Sequence, residues 1–126
     1  MKQAEKTENS PFIPKYKIWL ETKNGQGVLG DGKWLLLKAI EQNGSLMAAT
    51  EKLGISYRNT WNRLKKIEKL LGYSLIEKKR GGKDGGNTIL TENGIKLVQA
   101  FDNFHSEFDV MVNKAFNVLL NDLINQ

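Results

Sequence analysis

The 126-residue sequence contains no cysteine, so disulfides and thiolate metal sites are excluded outright. It has one histidine, His105, and a single imidazole without cysteine makes a poor metal or acid–base constellation. No apolar run approaches the roughly 20 residues that cross a bilayer. The amino-terminal stretch MKQAEKTENS is polar and lacks the apolar centre of a secretory signal. No paired-carboxylate cleft, nucleophile elbow or dinucleotide fingerprint is present. These absences lead us to expect a cytoplasmic protein that is not an enzyme, with no catalytic residues, cofactor or metal.

What is present is charge, unevenly placed. The formal net charge is +5, with 19 Lys and Arg against 14 Asp and Glu. Between Lys52 and Lys83 there are ten cationic residues and only two acidic ones, Glu68 and Glu77, a net +8. From Glu92 onward two lysines face five carboxylates, a net −3. A cationic middle suits a surface that meets a polyanion. A solvated lysine-rich face would have the same composition, so the decision rests on the architecture.

Residues 1–14 are polar, contain both prolines (Pro11 and Pro14) and lack periodicity, which predicts a disordered arm. Tyr16, Ile18 and Leu20 alternate with polar residues as in a strand. Asn24-Gly25 is a hairpin turn signal, with Val28-Leu29 as the return. A first helix is expected from Asp31, read as its N-cap, to a stop at Gly44, with Leu36, Leu37 and Ile40 inward. Ser45 caps a short second helix with Leu46, Ala49 and Leu53 inward. Gly54 ends it, and Ile55 lies in the turn.

Ser56 caps a third helix, Tyr57 to Leu71, stopped by Gly72. Its apolar stripe is Tyr57, Trp61, Leu64, Ile67 and Leu71. Two short strands follow, Leu75–Lys79 and Thr88–Leu90, separated by the glycine-rich loop of residues 80–86. Thr91 caps a last helix. The pattern is mainly α with a small β wing: a winged helix-turn-helix over residues 15–91, followed by a long helix over residues 92–126.

A major groove about 12 Å wide admits one α-helix, which must turn an apolar face to its own core and a polar face to base edges. The third helix has that division. Ser56, Tyr57, Arg58, Asn59, Thr60, Asn62 and Arg63 are candidates for base contact, since arginine can pair bidentately with guanine and asparagine with adenine. Tyr57 is also read as able to pack its ring while its hydroxyl reaches a phosphate. Lys65, Lys66 and Lys69 lie further along and suit phosphates. Arg80, Gly81, Gly82 and Lys83 form the wing, where glycine lets the backbone approach DNA and the cations meet the backbone or a narrow minor groove. A nucleotide-binding loop is rejected there, because Asp84 follows Lys83 and a strand comes next.

The stretches LLLKAIEQNGSLMAATEKLGISYRNTW and LIEKKRGGKDGGNTILTENG, in this order, resemble the DNA-binding domain of molybdate-responsive, ModE-type transcriptional repressors, which is related to the LysR-type winged helix. The resemblance covers Leu29 to Leu97. It implies that the helix after Ser56, with Tyr57, Arg58 and Asn59, is the recognition helix, and that Gly81, Gly82 and Lys83 belong to the wing. Members of that family continue into a molybdate-binding domain. With Gln126 as the last residue, no molybdate site is expected.

Beyond Thr91 the apolar residues Leu97, Phe101, Phe104, Phe108, Met111, Ala115 and Val118 recur at spacings of three and four. Val98, Val112, Phe116, Leu119 and Leu123 form a second stripe. A helix from Glu92 to Leu123 would be about 48 Å long at ~1.5 Å per residue, more than one small domain can cover. We therefore expect pairing with a second copy about a twofold axis, through Leu97, Phe101, Phe104, Phe108, Met111, Val112, Ala115, Phe116 and Leu119. The alternative is a helix that breaks, for instance at Asn103, Asn113, Asn117 or Asn121, and folds back. His105 is expected to be partly buried or at the dimer interface.

The expected function is a sequence-specific regulator of transcription that binds double-stranded DNA as a homodimer. A non-specific architectural nucleic-acid binder and a protein–protein dimerisation module remain alternatives.

Overall fold

A computed structural model of the chain describes residues 10–79 and 87–124. In order, the described elements are β1 (Trp19–Glu21), β2 (Gly27–Gly30), α1 (Asp31–Asn43), α2 (Leu46–Leu53), α3 (Tyr57–Leu71), β3 (Ile76–Lys79), β4 (Asn87–Leu90) and α4 (Glu92–Ile124). Lys17–Phe101 forms one compact unit. Tyr16 and the residues before it, with those from Asp102 onward, form a second.

The first unit is organised around a leucine-rich core. Leu36, Leu37 and Ile40 of α1 meet Leu46 and Ala49 of α2 and Leu64 and Ile67 of α3, with Leu29, Leu75, Ile76, Leu90, Val98 and Phe101 completing the cluster. The inward residues of each helix fall at spacings of three and four, which places them on one stripe. Leu53 departs from its expected place and is exposed. It is the last residue of the helix and lies past the edge of the core, whereas Thr50, three residues before it, is still buried.

Each helix boundary has a chemical cause. Ser45 Oγ accepts from the Ala48 amide at 3.1 Å and Ser56 Oγ from the Asn59 amide at 3.2 Å, both in N-cap geometry. Gly54 closes α2 in the left-handed region at φ 68°. The turn into α3 needs that conformation, which a residue with a Cβ adopts only at a cost. α1 begins at Asp31 as expected, but its N-cap is Gly30, which has no side chain to cap with. Asp31 instead accepts from the Ile18 amide at 3.2 Å and donates its own amide to the Ile18 carbonyl at 3.1 Å. Those two bonds fasten the chain entering β1 to the start of α1.

The antiparallel β1–β2 pair is shorter than the alternation suggests: Trp19 lies opposite Gly30, Leu20 opposite Leu29 and Glu21 opposite Gly27, with a register irregularity. Tyr16 lies outside the strand, in the second unit. β3 and β4 pair antiparallel in unbroken register from Ile76–Leu90 to Lys79–Asn87.

The step from β4 into α4 is tightly held. Thr91 donates its hydroxyl to the Ser74 carbonyl at 2.6 Å and its amide to the Leu75 carbonyl at 2.9 Å, while its Oγ1 accepts from the Gly94 amide at 2.9 Å. A Cβ on Gly94 would lie only 2.5 Å from the Leu75 carbonyl oxygen. Helix propensity alone favours alanine at such a site by about 1 kcal/mol. The clash is with backbone that cannot swing aside, so we expect Gly94→Ala to lose about 1–3 kcal/mol net, read as a lower denaturant midpoint at unchanged slope. A midpoint above wild type would show that α4 does not approach β3 this closely.

α4 runs unbroken from Glu92 to Ile124. The asparagines do not interrupt it; Asn113 donates its side chain to the Asp109 carbonyl at 2.9 Å, one turn back. Its first turns belong to the core. Val98 and Phe101 are buried, and Phe101 meets Trp34 at a ring separation of 5.6 Å. Leu97 is partly buried against the same cluster. The compact unit therefore extends to Phe101 and not merely to Thr91, and Phe101 is withdrawn from the expected pairing surface.

Candidate nucleic-acid interface

α2, the Gly54 turn and α3 form the helix-turn-helix, and the β3–β4 pair carries the wing. On α3 the side chains sort by face. Leu64 and Ile67 are buried; Trp61 and Leu71 are half-buried. Arg58, Asn59, Asn62, Arg63 and Lys66 are exposed, and so is Ser56, whose hydroxyl is occupied as the cap. Thr60 differs from expectation. It is 5% exposed, on the inward stripe four residues before Leu64 and seven before Ile67, and so leaves the base-contact set. Arg80, Gly81, Gly82 and Lys83 lie outside the described residues.

Two flanks border the exposed stripe. On one, the Tyr57 hydroxyl lies 3.3 Å from Thr88 Oγ1 of β4, and its ring stacks on Trp61 at 6.5 Å. The hydroxyl thus has a protein partner, which ties the start of α3 to the wing pair. Lys65 and Lys78 sit over the Trp61 ring at 4.8 and 5.9 Å. Tyr57, Arg58, Trp61 and Lys78 surround a shallow cleft there. On the other flank, the β1–β2 hairpin and Lys33 of α1 form a second cleft with Arg63 and Lys66. Burial, with the Arg63 guanidinium adding to it, pushes the Lys33 ammonium below its ordinary pKa.

Glu68 is the residue that sequence reasoning placed least well. It falls in the cationic segment, yet it is buried. Its Oε2 accepts from the Leu75 amide at 2.7 Å and the Ile76 amide at 3.0 Å, and its Oε1 faces Lys65 Nζ at 3.1 Å. Burial raises its pKa, but the two backbone donors and Lys65 outweigh it, so the carboxyl sits below the usual range. It anchors the far end of α3 to β3, as Tyr57 anchors the near end to β4. Lys33 and Lys78 were also not singled out by pattern, since one lies outside α3 and the other on a strand.

In the second unit, α4 leaves large apolar side chains in solvent. Met111 is 63% exposed, Val118 62%, Leu119 53% and Phe104 41%. Ala115 is exposed as well; Val112 and Phe116 are half-covered. Phe108 is half-covered by Tyr16 and Phe104, each at a ring separation of 5.6 Å. His105 stacks on Tyr16 at 6.0 Å, and the Tyr16 hydroxyl hydrogen-bonds the Asp109 carboxylate. Among the described residues no cluster of three or more His, Asp or Glu could hold a metal ion, and no helix is long and apolar enough to cross a membrane.

Taken together, the capped helix pair, the inward stripe of α3 and the β3–β4 pair define a winged helix-turn-helix protein with a long carboxy-terminal helix. The chain belongs to the bacterial regulatory helix-turn-helix proteins of the lysR family, whose model matches residues 33–95. Among curated proteins it is 34% identical over 107 residues to the DNA-binding transcriptional dual regulator ModE of Escherichia coli K12, covering 84% of this chain and 39% of that protein. It is 37% identical over 87 residues to the transcriptional regulator ModE of Haemophilus influenzae, covering 68% of this chain and 34% of that protein. It is 36% identical over 73 residues to the molybdenum-pterin-binding protein MopB of Rhodobacter capsulatus, covering 58% of this chain and 27% of that protein. The chain therefore spans well under half the length of these relatives.

Proposed function

We propose that this protein is a sequence-specific, duplex-DNA-binding regulator of transcription that acts in the cytoplasm as a homodimer. The observation that carries the proposal is the outer face of α3: Arg58, Asn59, Asn62, Arg63 and Lys66 stand exposed on a helix whose other face is locked into the core. A rigid helix with that face fits a major groove, with Arg58, Asn59 and Asn62 reading base edges and Lys66 at a phosphate. In this reading Arg80, Gly81, Gly82 and Lys83, which lie between β3 and β4 in the sequence, supply the contacts to the backbone or minor groove. Two copies pair through the solvent-facing residues of α4 beyond Phe101, which presents two recognition helices to a pseudo-palindromic site.

Selection of bound duplexes from a random pool tests specificity, symmetry and spacing together. A preferred duplex that survives excess random DNA is the expected result. Binding that is steep in salt and blind to sequence would identify an architectural binder instead. Negligible affinity at low salt would leave only a dimerisation module. Within the preferred site, we expect Arg58→Ala to weaken binding by about 1–3 kcal/mol per half-site and to relax selection at one base pair in each. Equal weakening on every sequence would remove base reading from Arg58.

A further inference from the structure

The cleft beside α3 that involves the amino-terminal hairpin has no role in the reading above. It is open, about 310 Å³ in volume, and lies between Trp19 and Gln26 of the hairpin region, Lys33 of α1, and Arg63 and Lys66 of α3. No acidic residue lines it. Among the described residues, none of its three cations has a carboxylate within ion-pair distance. Its remaining walls are mostly apolar or glycine, including Val28, Leu29 and Ile67, and so offer no countercharge. A concave, carboxylate-free site that gathers three cations is unfavourable while empty and favourable with an anion inside.

Its position says which anion. Arg63 and Lys66 are one turn apart on the exposed stripe of α3, and they are shared between that stripe and the cleft. A helix seated in a major groove meets two walls, each a phosphodiester strand. The wing pair, with Lys78 on β3, flanks α3 on one side; the hairpin cleft flanks it on the other. We propose that the cleft formed by the β1–β2 hairpin, Lys33, Arg63 and Lys66 seats one backbone phosphate of the bound duplex. The hairpin then acts as a lateral clamp opposite the wing. The assignment rests on the DNA-binding reading. The lowered pKa of Lys33, set by burial and Arg63, is consistent with a cation held in place without a partner.

The full-length chain with Lys33→Met tests this on the preferred duplex and on a scrambled one. For each bound copy we expect both affinities to fall alike, by about threefold to tenfold, and the slope of log affinity against log salt to shrink by about one, so that a bound homodimer loses about two. Because the substitution removes a charge that the free protein holds at a cost, the melting temperature of the free protein should stay level or rise. Lys33→Arg should keep the wild-type slope. Neutral methylphosphonates placed in pairs, at the same phosphate of each half-site, should include one placement at which wild type and Lys33→Met bind equally.

A wild-type slope and affinity for Lys33→Met, while Arg58→Ala still weakens the preferred duplex, would overturn the clamp and leave the DNA-binding reading standing. The absence of any equalising methylphosphonate would overturn it too. Inorganic phosphate that stabilises wild type but not Lys33→Met, with identical duplex binding by the two, would assign the cleft to a free oxyanion and remove the clamp. A wild-type chain that binds no duplex at low salt would end both proposals together.

Discussion

Met111→Glu combined with Val118→Glu should turn the protein into a monomer and lower its affinity for a two-half-site duplex by about 10²- to 10⁴-fold. The two side chains are 63% and 62% exposed and sit seven residues apart, so they lie on one side of α4. Large apolar side chains left in solvent at helical spacing are unfavourable unless something covers them. Charging both places carboxylates on the proposed pairing surface, in a segment already net negative from Glu92 onward. Glutamate is a good helix former, so α4 itself should persist, and circular dichroism should show unchanged helicity. The size of the loss follows from linkage: once one half-site is bound, a tethered second copy binds at high effective concentration, and a monomer loses that advantage. Sedimentation at micromolar concentration and titration against one- and two-half-site duplexes measure both parts. A wild type that sediments as a monomer would sink the pairing, as would a double variant that still binds the two-site duplex tightly.

Glu68→Ala should cost about 3 kcal/mol of folding stability, a fall in melting temperature of about 10 °C at fixed protein concentration. The substitution strips the acceptor from two amides, those of Leu75 and Ile76, in residues that are 0% and 1% exposed. Neither donor has water to turn to. Glu68→Gln keeps an acceptor but loses the charge and the Lys65 contact, so its loss should be about 1 kcal/mol. The pH dependence follows from the lowered carboxyl pKa. Above the unfolded-state value, near ~4.3, the carboxylate is ionised in both states and its contribution is complete. As pH falls through the lower folded-state value that contribution disappears. Wild-type stability should therefore drop in this window more steeply than that of Glu68→Gln. Parallel pH profiles for the two proteins would show that the carboxylate is not what holds β3.

The helix-turn-helix was legible because its boundaries are written in local chemistry. Ser45 and Ser56 cap, and Gly44, Gly54 and Gly72 stop, whatever the rest of the chain does. The longer-range pairings were not. Glu68 among lysines looks like a solvated charge, and nothing local says that β3 returns two amides to it. Thr60 belongs to either face by residue type; only the packing of α3 turns it inward. Phe101 and Phe104 share one stripe and one chemistry. The pattern shows that both seek cover, but not that Trp34 supplies it for Phe101 while Phe104 remains 41% exposed. Lys33 had no signal at all, because its significance comes from a hairpin and a helix far apart in the chain.

α3 is tied to the wing pair at both ends, through the Tyr57 hydroxyl at Thr88 and the Glu68 carboxylate at Leu75 and Ile76. The described part of the reading head is thus assembled before any ligand arrives. Encounter with a duplex need not wait for refolding there, and the entropy still to be surrendered is that of the exposed side chains rather than of the backbone. Its association rate should accordingly track ionic strength, through long-range attraction, far more than it tracks temperature.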